Sequence, residues 1–176
     1  ALGGAASAPV LLSALGRPDR FLNMLRVVKL RGISYRGGYH DFRIQKGGLC
    51  IYPRLASAEH RQPISPEPMS SGIAGLDALL GGGPGRGTST LLMGPAGTGK
   101  SSVALQYVTA AAQRGDHAIV FAFDESLTTL EARTAGLGIE LRACREAGSV
   151  KLEQVDPAEL SPGEFAIRVR EAVERD

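Results

Sequence analysis

The sequence predicts an α/β chain: an incomplete parallel sheet with flanking helices, preceded by a smaller block of antiparallel strands. Three observations carry this. Residues Gly94-Pro95-Ala96-Gly97-Thr98-Gly99-Lys100-Ser101 spell G-x-x-x-x-G-K-[ST], set between a β-prone run and a helical stretch. From there to the end, β-type and helical segments alternate, the pattern of a parallel, doubly wound sheet. Upstream, Pro63, Pro66 and Pro68 lie among polar residues and mark a linker between two blocks.

Taken in order, the first block covers residues 1–55 and is β-like. Its first twenty residues carry little signal. They lack a basic leader and a starting Met, so a signal peptide fits poorly and an internal start of a longer protein fits better. Leu22 to Arg31 is a long apolar and basic run. His40 to Gln45 alternates, with Phe42 and Ile44 on one face and Asp41, Arg43 and Gln45 on the other. Lys46-Gly47-Gly48 reads as a hairpin turn and Leu49 to Tyr52 as the return strand. So few strands are marginal alone, so the block is expected to belong to a larger sheet. Residues 56–69 are the linker.

The second block covers residues 70–176. Thr88 to Met93 is short, apolar and β-prone, as a buried strand should be. Lys100 to Arg114 places Val103, Ala104, Tyr107, Val108 and Ala111 at helical spacing, and Gly115 ends it. His117 to Phe123 is a second strand, Ser126 to Leu137 a helix with Thr128-x-x-Glu131 as a capping box, and Ile139 to Ala147 another helix. Val150 to Val155 alternates as a strand. Ser161-Pro162-Gly163-Glu164 then opens a last helix, with Phe165, Val169, Ala172 and Val173 as its apolar stripe.

Composition narrows the function classes. Hydrophobic residues make up 43% and charged residues 22%, an ordinary globular balance. A formal charge of +2 is too small to argue for nucleic acid. No apolar run approaches the roughly 18 residues that suggest a membrane span. Cys50 and Cys144 lie far apart and form no C-x-x-C, which reads as free thiols in a reducing, cytoplasmic compartment. His40, His60 and His117 have no metal-ligand spacing and read as surface or structural residues.

The glycine-rich pattern is a phosphate-binding loop. A nucleoside triphosphate brings several negative charges that must be held without water. Backbone N–H groups wrapped into a nest, together with the positive end of the next helix, can hold them. Gly94, Gly97 and Gly99 fit where the backbone crowds phosphate or takes positive φ, with Pro95, Ala96 and Thr98 between them. Lys100 is expected to reach the β- and γ-phosphates of ATP. Ser101 is expected to ligate Mg²⁺, and Ser102 follows it on the cradle.

A family resemblance extends this. Ser71-Gly72-Ile73-Ala74-Gly75-Leu76-Asp77-Ala78-Leu79-Leu80-Gly81-Gly82-Gly83, then Arg86-Gly87-Thr88 and the loop, resembles the opening of a RecA-type ATPase domain. Phe121-Ala122-Phe123-Asp124-Glu125-Ser126 is similar to a strand end in KaiC-like ATPases, where Phe precedes two acidic residues. Leu25 to Gly32, with Tyr39 to Ile44, resembles the closing strands of a KaiC domain. Pro84-Gly85 departs from the Leu-Pro more often found there, and Asp124 replaces a common Glu. The resemblance implies a chain straddling a junction: the closing antiparallel strands of an upstream domain, the linker, then the first part of a second RecA-like P-loop NTPase domain, stopping before Walker B.

The resemblance also implies roles. Glu125 would be the general base for phosphoryl transfer and Asp124 its partner, at the carboxyl end of a strand that opens onto the loop's crevice. From the residues alone, helix capping by Asp124 or Ser126 is an equally simple reading. Lys29, Leu30 and Arg31 resemble the segment that reaches a neighbouring subunit's nucleotide in a ring, a task suited to an arginine fork. Composition alone reads the same residues as a solvated or ion-paired strand face. The implied function is Mg²⁺-dependent ATP binding and hydrolysis in a homo-oligomeric, hexameric ring, with serine/threonine autokinase activity in some relatives and with regulatory protein partners. A RecA- or RadA-type DNA-dependent ATPase and a nucleotide-binding module without turnover are the alternatives. The isolated 176 residues are expected to bind nucleotide weakly without turnover.

Overall fold

A computed structural model describes residues 10–17, 20–56, 67–123 and 125–175. The α/β class expected from the sequence holds. The chain divides into two compact units, Ala1–Arg61 with Asp156–Asp176, and Gln62–Val155. Most of the expected linker lies outside the described residues.

In the first unit, β1 (Val10–Arg17), β2 (Arg20–Val27), β3 (His40–Gln45) and β4 (Gly48–Tyr52) form an antiparallel sheet in that order. β3 and β4 are the two strands read from the sequence; Phe42 is buried and Arg43 is not, while Ile44, on the face of Phe42, is exposed. β1 falls in the stretch whose sequence carried little signal. Pairing explains its presence: it aligns with all of β2, from Val10 opposite Val27 to Arg17 opposite Arg20. A ladder with an adjacent strand needs no strong local propensity.

Helix α5 (Pro162–Arg175) packs on β3 and β4. The βα alternation places it with the second block; here its N-terminus is held within the first unit. The Ser161 hydroxyl caps the Glu164 N–H at 3.1 Å, as the sequence predicts. Asp41 adds a second cap from β3, accepting the Gly163 N–H at 2.7 Å. Arg43, two residues on, pairs with Glu164 at 2.9 Å and donates to the Glu159 carbonyl. His40 is buried and uses both ring nitrogens: Nδ1 accepts the Arg54 N–H, so the proton sits on Nε2 and goes to the Arg36 carbonyl, each at 3.0 Å. This is the structural role expected of it.

The second unit begins with an anchored turn. Asp77, in α1 (Ala74–Leu79), accepts the hydroxyls of Ser70 at 2.6 Å and Ser71 at 2.7 Å and the Ser71 N–H at 2.8 Å. Those bonds, the Ser70 hydroxyl first, hold its carboxyl below the ordinary aspartate value of 3.8. α2 (Lys100–Gln113) grips the same turn: Gln106 donates to the Ser71 carbonyl at 3.0 Å and Arg114 to that of Ser70 at 2.9 Å. Nearby, Met69 pairs with Pro84. A Cβ on Gly83 would sit 1.9 Å from the Met69 carbonyl oxygen, and φ there is +121°, so only glycine fits.

β5 (Ala118–Ala122) and β6 (Val150–Gln154) pair in parallel, from Ala118 opposite Val150 to Ala122 opposite Gln154. α3 (Leu127–Gly136) and α4 (Leu141–Glu146) connect them. The core is Leu105 of α2, Leu130 of α3, Leu141 and Cys144 of α4 and Val150 of β6. Burial pushes the pKa of the Cys144 thiol up. Both cysteines are free, as predicted.

Two local expectations change. Ser126, not Thr128, is the N-cap of α3, its hydroxyl accepting the Thr129 N–H at 3.1 Å. Thr88–Met93 is not a strand. No described strand lies beside it, and without a ladder partner its backbone gains nothing from pairing. Leu91 and Met93 are accordingly 78% and 82% exposed instead of buried.

Candidate functional site

The glycine-rich loop runs from Gly94 into α2. Gly97 and Gly99 have φ of +80° and +84°, the left-handed region that turns successive N–H groups toward one side. Gly99 is the N-cap of α2 and contributes no side chain, so no side-chain oxygen competes for the N–H groups of the first helical turn. Thr98 closes the loop on itself, its hydroxyl donating to the Pro95 carbonyl at 2.9 Å. The Lys100 ammonium folds back to the same carbonyl at 2.7 Å. The loop residues 94–98 are exposed. A loop with two left-handed glycines, a helix start without a side-chain cap and one nearby cation suits a polyphosphate.

Beyond the loop, Ser101 and Glu125 line one cavity of about 510 Å³, with Ala104 and Val108 of α2 and Val120 of β5. β5 ends at Ala122, next to the cavity, which is how a parallel strand delivers a carboxylate to this place. Ser126 takes the α3 cap, so Glu125 has another partner. Arg133, two turns along α3, grips it with both ends of its fork: Nε to Oε1 at 3.1 Å and Nη2 to Oε2 at 2.7 Å. The third guanidinium nitrogen, Nη1, lies 3.4 Å from the Ser102 hydroxyl. Base candidate and loop helix are thus joined through one arginine.

Loop residues Gly94 to Ser102 and Glu125 therefore belong to one unit and one region. Asp124 lies outside the described residues. Lys29, Leu30 and Arg31 follow β2 in the first unit, with Lys29 and Arg31 exposed and Leu30 half-buried. The segment after them is shaped by the Tyr35 hydroxyl, which donates to the Val28 carbonyl at 3.4 Å, and by Arg26 stacked 5.6 Å from the Tyr39 ring. Among the described residues no three His, Cys, Asp or Glu side chains cluster as a metal site. Ser101 offers one hydroxyl oxygen, and Mg²⁺ commonly takes its other donors from nucleotide phosphates and water. Arg133 is the residue sequence reasoning missed. The sequence shows an acid just before a helix and a base eight residues on, but not the direction in which the helix points that base.

A family model described as a KaiC ATPase matches residues 69–174. The chain is 33% identical over 134 residues to the circadian clock oscillator protein KaiC of Acaryochloris marina, covering 76% of this chain and 26% of the relative. It is 31% identical over 143 residues to the KaiC of Picosynechococcus sp., covering 81% and 28%. Against the KaiC of Synechococcus elongatus the figures are 30% over 143 residues, covering 81% and 27%. The chain spans about a quarter of the length of these curated relatives. No helix among the described residues is long and apolar enough to cross a membrane.

Proposed function

The chain belongs to the KaiC family of ATPases, and from that premise we propose that it binds MgATP on the Gly94–Ser101 loop and hydrolyses it with Glu125 as general base. The observation that supports this best is the shared cavity of Ser101 and Glu125 beside the N–H cradle. The cradle and the start of α2 would hold the β- and γ-phosphates. Lys100 would exchange the neutral Pro95 carbonyl for phosphate oxygen, a stronger charge-assisted bond. The Ser101 hydroxyl would hold Mg²⁺, which supplies charge neutralisation on the phosphates. Glu125 would orient a water, take its proton as the water oxygen attacks γ-phosphorus, and leave ADP as the departing group. Asp124 would be its partner in that step.

In the same reading, copies of the protein form a ring, six by resemblance, in which Lys29 and Arg31 reach a neighbouring subunit's nucleotide. The protein works in the cytoplasm under regulatory protein partners. A Ser or Thr hydroxyl of the protein in place of water would make the activity an autokinase. The test is turnover of γ-labelled ATP by the full-length gene product, wild type beside Lys100→Ala, following free phosphate and label on protein. Free phosphate lost in the mutant supports an ATPase. Label held on protein supports an autokinase. No turnover in either protein sinks the enzymatic reading and leaves a binding module.

A further inference from the structure

We propose that Arg133 is a positioning residue for Glu125: it fixes the plane of the base carboxylate and ties it to the first turn of the phosphate-binding helix. The inference rests on Glu125 being the base. Three contacts carry it. Nε and Nη2 meet the two carboxylate oxygens at 3.1 and 2.7 Å, and Nη1 reaches the Ser102 hydroxyl at 3.4 Å.

A glutamate on a strand-to-helix turn has several free torsions, and a base that swings through a few ångströms is seldom in line with its water. The two-pronged contact removes that freedom, because a planar guanidinium and a planar carboxylate meet in one orientation only. It does so without occupying the carboxylate. An ionised carboxylate offers about four lone-pair sites, and the fork takes one on each oxygen. The remaining ones are open to a water in the cavity that Glu125 lines.

The alternative role, stabilising the fold, is weak on the same geometry. The side chains of Arg133 and Glu125 are 36% and 30% exposed, and ion pairs that open to water add little to stability. The third contact has a different meaning. Ser102 is next to Ser101, so the arginine links the base to the turn that would carry the metal ligand. Lysine could not replace it, since a single ammonium cannot grip both oxygens and the hydroxyl together.

The experiment uses the full-length gene product and four proteins: wild type, Arg133→Gln, Glu125→Gln and the double variant. ATP turnover, KM for ATP, affinity for a non-hydrolysable ATP analogue and thermal melting are measured. Arg133→Gln is expected to lower kcat by roughly 10- to 100-fold, the cost of a misplaced group, while KM, analogue affinity and melting stay near wild type. The double variant is expected to be no slower than Glu125→Gln alone, because the arginine acts only through the glutamate. Wild-type turnover in Arg133→Gln beside a slow Glu125→Gln overturns the positioning role and leaves the base assignment standing. So does a loss confined to analogue affinity, or a further slowing in the double variant. Wild-type turnover in Glu125→Gln overturns the base assignment and this role with it.

Discussion

Lys100→Met tests the reach of the loop lysine. Its ammonium holds the Pro95 carbonyl at 2.7 Å. Binding a triphosphate must break that bond. Every bond of the ammonium is a hydrogen bond to a charged group, worth about 1.5–3 kcal/mol, with the neutral carbonyl at the low end of that range and the anionic phosphate at the high end. The lysine's net contribution to affinity is the difference, about 1–2 kcal/mol. That corresponds to a Kd raised roughly 5- to 30-fold in the methionine variant, which keeps the apolar stem and removes only the ammonium. Turnover should fall much further, because γ-phosphate charge is stabilised most in the transition state. Calorimetric titration with a non-hydrolysable ATP analogue, on the full-length gene product, measures the first quantity. An unchanged Kd would mean that Lys100 never reaches phosphate. A loss beyond about a thousandfold would mean that the contact with Pro95 offsets nothing and that the loop depends on the lysine for its shape.

Two further outcomes follow from the second unit. Leu141 is fully buried among Leu105, Leu130, Cys144 and Val150, so Leu141→Ala should cost about 2–5 kcal/mol, read from a urea transition followed by hydrogen exchange in β5 and β6; a loss below about 1 kcal/mol would mean the site collapses freely. Asp77 has a depressed folded pKa, so its bonds contribute stability that is fully present above its ordinary value of 3.8 and is lost as pH falls below that value. Melting against pH should therefore show an acid-side loss in that window that shrinks in Asp77→Asn, and an unchanged slope in the variant would contradict the assignment.

The sequence made the local elements legible wherever pattern and partner agreed. His40 to Gln45 alternates and is β3; the run after Lys100 is periodic and is α2. The P-loop was legible for a different reason, since its glycines answer to backbone geometry that only they can adopt. Where pairing decided, pattern misled. Val10 to Arg17 looks featureless and is a strand because β2 lies beside it, whereas Thr88 to Met93 looks like a strand and is none because no described strand does. Within the candidate site, Lys100 and Glu125 were legible from motif and resemblance. Arg133 was not, because its part depends on where α3 points a side chain eight residues away from its partner.

The contacts around α5 set a gauge for the hairpin beneath it. Asp41 and Arg43 are two residues apart and face the helix, one capping it and the other pairing with Glu164. Phe42 and Ile44 face away. If β3 slid by a single residue, each side chain would change faces: the helix start would meet a phenyl ring in place of a carboxylate, and Glu164 an isoleucine in place of its cation. The sliding strand would lose cap and ion pair at one stroke. A helix separated from the strand by about a hundred and twenty residues of chain thus acts as a detent, so that a distant element proofreads the alignment of the hairpin.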